Sequence, residues 1–261
     1  HILQILSHLP DGSEVLIQKP MGENLVEAQK ILSLFNQKQL ISAVNFQLRY
    51  APFVNAARSM INEWAIVEIY DMEVKLCTFT PWHLWDFLSR IPRVEILYHS
   101  IHYLDLIRSF LGDPQRVMAK TVRHPGTIVA SSRSTILLDY GDELAATIHT
   151  NHDHNFGPKH QESFIKWEGT KGAIYARMGL NLNYPQGLPD VFEYVVSDGT
   201  GDPVWKSILL PGSWFPDAFI GSMSSLMRFV EGSDDVLATS VDDAFKTMDA
   251  VEEAYKSSEG K

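Results

Sequence analysis

The stretch from Ser13 to Gln47 constrains the fold more than any other part of the chain. "SEVLIQKP" reads as a short buried strand after a "PDG" turn, "NLVEAQKILSLFNQKQ" as an amphipathic helix, and "LISAVNFQ" as a second buried strand. Two buried strands joined by a helix make a β-α-β unit, whose right-handed crossover sets the strands parallel. Sheets of this kind bind ligands outside the carboxyl ends of their strands. Lys19 and Asn45 lie at or near those ends and are the first candidate binding residues. Pro20 biases Lys19 toward an extended conformation, so the lysine closes a strand and does not open the next helix. The same pattern also fits a solvated lysine at the start of a loop.

Before this unit, Ile2, Ile5, Leu6 and Leu9 have helical spacing. After it, "YAPFVNAARSMINEW" reads as a helix and "AIVEIYDMEVKLCTF" as one long strand or a bent pair, from its β-branched and aromatic content. "VEILYHSIHYLDLIRSFLG" is helical by periodicity and stops at Gly112 and Pro114. Between about residues 116 and 210, six strand-like segments separated by Gly, Pro or Asp turns predict one large, mainly antiparallel sheet. The last stretch, "SVDDAFKTMDAVEEAYKSSEGK", opens on a Ser240 or Asp242 cap signal and is amphipathic throughout.

With 261 residues, 45% of them hydrophobic, the chain can bury a sizeable core. A formal charge of -10 and the lack of a basic block argue against a nucleic-acid partner, which needs Lys and Arg to neutralise phosphates. The single cysteine, Cys77, cannot form an internal disulfide and fits a reducing compartment. No apolar run reaches the roughly eighteen residues of a membrane span, and no signal-peptide pattern opens the sequence. A cytoplasmic location without membrane association is expected.

Four motifs bear on chemistry. In "LYHSIHYLD", Tyr98 and His102 are four residues apart and His102 and Asp105 three, so a regular helix would group them on one face, with His99 turned away. A carboxylate that fixes an imidazole makes an oriented acid-base group, although the helix alone favours a hydrogen-bonded core histidine. "TPWHLWDF" places Trp82, His83, Trp85 and Asp86 in a loop, a surface on which sugar rings stack, or else an aromatic plug for the core. "HTNHDHNFGPKH" gathers His149, His152, His154 and His160, with His152 and His154 expected on one face of a strand. That cluster invites a metal reading, but with only Asp153 nearby it lacks a full ligand set, and polar contact to a sugar serves as well. Arg49, just past the second strand, is either a substrate contact or an ordinary surface arginine.

Taken in order, "HILQILSHLPDGSEVLIQKPMGENLVEAQKI", "VNFQLRYAPFVNAAR", "ILYHSIHYLDLIRSFLGDP", "FIKWEGTKGAI" and the closing helix resemble successive blocks of the Gfo/Idh/MocA oxidoreductases. The resemblance implies a nicotinamide-dependent enzyme acting on a sugar or polyol, with NAD or NADP as cofactor. It places Lys19 near nicotinamide and substrate, with Gln18 where the family has glutamate, and Gln18, Lys19, Pro20 and Asn45 on the cofactor side. His102 matches the family's catalytic histidine and Asp105 the aspartate that follows it. Tyr98 stands where the family often has an aspartate, and the substrate set is expected to include Arg49, Trp82, Trp85, Asp105 and His154. The resemblance further implies that the sequence lacks the first several dozen residues of the family, including the Gly-rich turn that holds the pyrophosphate.

The expected architecture is α/β plus α+β. Residues 1–48 are the C-terminal remainder of a Rossmann-type domain, residues 49–239 a substrate domain built on the large sheet, and residues 240–261 a helix packing back on the first part. The resemblance implies a homodimer or homotetramer, and the exposed face of such a sheet needs a cover. A non-catalytic sugar sensor on the same fold and a metal-dependent hydrolase using the His149 to His160 region are the rival readings.

Overall fold

The computed structural model describes residues 1–260 except 64, 65, 67 and 198. Trp64 at the end of the third expected helix, Ala65 and Val67 at the start of the following strand, Asp198 and Lys261 lie outside the described residues. The chain opens on helix α1 (Ile2–His8), strand β1 (Glu14–Gln18), helix α2 (Leu25–Gln37) and strand β2 (Ile41–Asn45), with β1 and β2 parallel and Gln18 opposite Asn45. This is the β-α-β unit that the apolar pattern predicts. The Asn24 side chain caps α2 by accepting from the Glu27 amide at 2.9 Å, and Glu27 accepts in return from the Glu23 amide at 2.9 Å. Ala28, Ile31 and Phe35 then share the buried face of the helix.

A tight turn (Gln47–Tyr50) leads into α3 (Pro52–Asn62) and then into β3 (Ile69–Cys77), the first strand of an eight-stranded sheet. The other strands are β4 (Arg116–Val122), β5 (Arg133–Asp139), β6 (Ala145–Asn151), β7 (Glu162–Gly169), β8 (Gly172–Arg177), β9 (Val191–Val196) and β10 (Lys206–Ile208). Their order is β10-β9-β8-β7-β3-β6-β5-β4. Every neighbouring pair is antiparallel except β3 with β6, which run parallel in the middle of the sheet. Both strands of that pair therefore end on the same side, at Cys77 and Asn151.

One face of the sheet is apolar through alternation, with Met72, Val74, Ile136, Leu138, Ile148 and Trp167 all buried. Against it lie α4 (Ile101–Leu111), which follows a π-turn over Ile96–Ser100, and α6 (Val241–Glu259). Ser240 caps α6 by accepting from the Asp243 amide at 3.3 Å. The helix packs on β4, α2 and α4, so one continuous core joins Leu6, Phe35 and Val44 to Trp167, Met248 and Tyr255. Helix α5 (Ala218–Val230), which the sequence reading did not anticipate, packs on β1, β2 and the Gln47–Tyr50 turn through Ala218, Ser222 and Leu226.

Three separate elements are tied by a buried charge network. Arg49, from the turn after β2, donates through Nε and Nη2 to the Asp105 carboxylate of α4 at 2.6 and 2.5 Å, and through Nη2 to Asp243 of α6 at 2.6 Å. The Thr247 hydroxyl donates to Asp105 at 3.1 Å, and Arg108 donates to Thr247 at 2.6 Å. Removing one partner of a buried pair leaves an uncompensated charge, so Asp105→Asn should lower the unfolding free energy by about 3 kcal/mol. Urea denaturation of the two proteins measures the difference.

Candidate active site

A cavity of about 570 Å³ opens where the carboxyl ends of β1, β3 and β6 meet the start of α4. Gln18 and Lys19 enter from β1, Thr78 and Thr80 from the segment after β3, His152 from beyond β6, and Tyr98, His99 and His102 from the π-turn and α4. Trp85, Tyr184, Trp214 and Phe215 complete an aromatic wall. The Lys19 amine donates to the Tyr98 carbonyl. Burial lowers the Lys19 pKa from 10.5 to about 8.

His102 is 7% exposed, set edge-on between Phe46 and Trp214 at centroid distances of 6.4 and 6.0 Å. Burial, reinforced by the Lys19 charge, holds its pKa well below the ordinary imidazole value, and its buried Nδ1 has no hydrogen-bond partner among the described residues. His102 is thus a neutral imidazole in a dry site, able to accept a proton.

The surroundings of His102 correct the expected group of Tyr98, His102 and Asp105. Asp105 is buried beneath the cavity and spends both carboxylate oxygens on Arg49 and Thr247, so it does not line the cavity or orient His102. Arg49, expected as a substrate contact, is occupied by Asp105, Asp243 and the Ala238 carbonyl and does not reach the lining either. Helix spacing gave the two residues no sign of each other, because their partnership spans separate elements. His99 does not turn away but lines the cavity with His102. The spacing itself allows this, since His99 stands three residues before His102 just as Asp105 stands three after it. Tyr98 also lines the cavity, where its carbonyl serves Lys19 and its ring meets Phe87 at 5.8 Å.

Of the other expected residues, Gln18 and Trp85 line the cavity, while Pro20 and Asn45 do not. Asn45 is buried with its Oδ1 unpartnered. Trp82 sits behind the wall, packed on His99 and His152. His154 lines a separate depression with Phe79 and Asn183, its Nδ1 3.8 Å from Cys77 Sγ, so it parts from His152 because β6 ends at Asn151 before either histidine. His149 faces Thr135 across the sheet at 3.0 Å. Among the described residues, no group of three or more His, Cys, Asp or Glu is placed to hold a metal ion.

Sequence reasoning missed Glu95. It is wholly buried behind His152, with Oε1 3.4 Å from His152 Nε2, and accepts from the Ser100 hydroxyl at 2.7 Å. Burial alone would raise its carboxyl, but His152, Ser134 and Ser100 together hold it below the ordinary carboxylate range. The one signal in the sequence was an acid placed at the head of an apolar run.

Because the folded-state pKa of Lys19 lies below its ordinary value, the unfolded chain binds more protons between about pH 8 and 10.5. The cost of burying the ammonium is therefore full below pH 8 and fades as pH rises through that window. Lys19→Met should stabilise the protein at pH 7 and lose that advantage by pH 10, which parallel denaturation curves at the two pH values can measure.

Comparison with known proteins finds similar sequences and folds. Residues 54–175 match the family model described as the GFO/IDH/MocA C-terminal domain. Over 252 residues the chain is 24% identical to D-apiose dehydrogenase of Rhizobium rhizogenes, covering 93% of this chain and 69% of that protein. An oxidoreductase from Agrobacterium radiobacter, solved with NAD+, L-tartaric acid and magnesium, shares the fold at a TM-score of 0.76 and 21% identity, covering 100% of this chain and 74% of the other. A structure from Desulfitobacterium hafniense assigned as an NADPH-dependent oxidoreductase superposes at a TM-score of 0.78 and 13% identity, with the same coverage of 100% and 74%.

Proposed function

We propose that the chain, whose residues 54–175 match the GFO/IDH/MocA C-terminal domain model, acts in a nicotinamide-dependent oxidoreductase that interconverts a hydroxyl and a carbonyl on a sugar or polyol. The observation that carries this reading is the pairing, in one cavity, of a neutral imidazole with an ammonium of lowered pKa. NAD or NADP fits the residues present, because the cavity lies outside the carboxyl ends of the parallel strands and offers Lys19 as a cation beside it. Gln18 and Lys19 are the residues that would hold the nicotinamide end, with Pro20 and Asn45 behind them. When bound, the cofactor supplies the hydride acceptor or donor.

In the oxidative direction His102 takes the proton of the reacting hydroxyl, and the Lys19 ammonium stabilises the negative charge that grows on that oxygen. The Tyr98 carbonyl holds the ammonium in place. Reduction runs the same steps backward. The D-apiose dehydrogenase relative makes a neutral pentose a good first substrate to test.

The same reading divides the chain into a nucleotide side (1–48), a substrate and association side (49–239) and a returning helix (240–261). It includes a cytoplasmic location and a homodimer or homotetramer formed through the open face of the large sheet, where Tyr70, Met118 and Val122 are exposed.

The decisive experiment is a dehydrogenase assay with NAD+ and NADP+ on a panel of sugars and polyols that includes D-apiose. His102→Ala should lower kcat by roughly 10²–10⁴-fold with a smaller effect on KM, and His99→Ala should lower kcat far less. Tyr98→Phe should leave kcat nearly intact, since the contact Tyr98 makes with Lys19 runs through its backbone carbonyl. Because Lys19 must carry charge to act, kcat/KM for oxidation should fall above about pH 8, and a pH profile will show it. Binding of a sugar without turnover on either cofactor would favour a sugar-sensing relative instead.

A further inference from the structure

The chemistry assigned to Lys19 and His102 leaves a third imidazole in the cavity unused. His99 lines the cavity one helical turn from His102 and makes no hydrogen bond among the described residues, so its ring nitrogens are free for a ligand. Its position is tightly constrained. The His152 ring lies against it at a centroid distance of 4.4 Å, and Trp82 packs on both rings at 5.3 and 5.4 Å.

His152 is held at one nitrogen and faces a carboxylate with the other, which makes no hydrogen bond among the described residues. Thr80 Oγ1 meets Nδ1 at 2.8 Å, and Glu95 Oε1 stands 3.4 Å from Nε2. The Glu95 carboxylate has no access to water and tolerates burial because His152 and Ser100 face it. The order of support is thus Glu95, His152, His99, with the last member presented to the cavity.

A neutral imidazole donates from one ring nitrogen and accepts at the other, which suits a hydroxyl group. Burial, with His152, Lys19 and His102 adding to it, keeps His99 neutral. Among the described residues the cavity lining contains one ammonium, Lys19, and no guanidinium or carboxylate. An anionic substrate would have a single cation to meet, and that cation is committed to the reacting oxygen.

Resting on the oxidoreductase reading, we propose that His99 recognises a second hydroxyl, adjacent to the one His102 deprotonates, and that the substrate class is an uncharged vicinal diol within a sugar or polyol. His102 and His99 lie one turn apart, roughly 5–6 Å between Cβ atoms for such positions, so their ligands fall on neighbouring carbons. Glu95 and His152 are positioning residues that act through the His99 ring.

The test compares binding of cis-1,2-cyclohexanediol and cyclohexanol, read by tryptophan fluorescence, which Trp82, Trp85 and Trp214 place at the site. One lost hydrogen bond is worth about tenfold in affinity, so the protein should prefer the diol by about tenfold. His99→Phe keeps the stacking on His152 and should cut that preference to below about twofold. Glu95→Gln should reduce it about threefold without weakening cyclohexanol, and on the best polyol substrate it should raise KM more than it lowers kcat. Equal binding of the two alcohols by the unaltered protein, or a preference that survives His99→Phe, overturns the proposal. So does a Glu95→Gln effect that weakens both ligands alike. Diol preference without turnover on any nicotinamide cofactor would support the role of His99 while overturning the oxidoreductase reading. Binding of neither alcohol would overturn both.

Discussion

The arrangement of the molecule rests on the pairing of Arg49 with Asp105. Both side chains are removed from water, and the guanidinium presents its fork to the carboxylate at 2.6 and 2.5 Å. Arg49 sits just past β2, Asp105 on the helix that carries His102, and Asp243 on the helix that closes the chain. A single cation thereby sets the distance between the β-α-β unit and the imidazole it serves. Nonpolar contacts alone would allow these elements to slide, whereas a bidentate ion pair in a dry core permits one register.

The cavity depends on the same withdrawal of water, used to a different end. Desolvation disfavours charge, so Lys19 gives up its proton more easily than an exposed lysine, and His99 and His102 stay neutral. Each cation also discourages the next, since Lys19 depresses both histidines. The carboxylate is held one layer back, at Glu95, where it steadies His152 without placing a negative charge among the ligand-facing groups. The cavity thus offers one positive charge and several neutral donors and acceptors, a set that distinguishes an alcohol from an acid.

The sequence made much of this legible. Alternation and helical spacing recovered the β-α-β unit, the sheet between residues 116 and 210 and the closing helix, because each buries one regular face. Lys19 and His102 were found from a strand end and a helix, and the structure sets them on one cavity. Part of what escaped depended on contacts distant in the chain. Arg49 and Asp105 look like separate surface and site residues until the fold joins them. His99 was turned the wrong way because its facing was reckoned from the adjacent Tyr98 and not from His102, three residues on. Helix α5 went unread in a stretch containing several Gly and Ser, although its apolar residues keep helical spacing as clearly as those of α2 and α6.

The parallel pairing of β3 with β6 also governs how the protein comes into being. Asp71 pairs with Ala145 and Cys77 with Asn151, so the centre of the sheet closes a long loop, whereas the flanking hairpins pair locally. Contacts so far apart in the chain form slowly. The cavity gathers residues from Lys19 to Phe219, among them Thr78, His102 and His152. The cavity is therefore complete only when segments far apart in the chain are docked together.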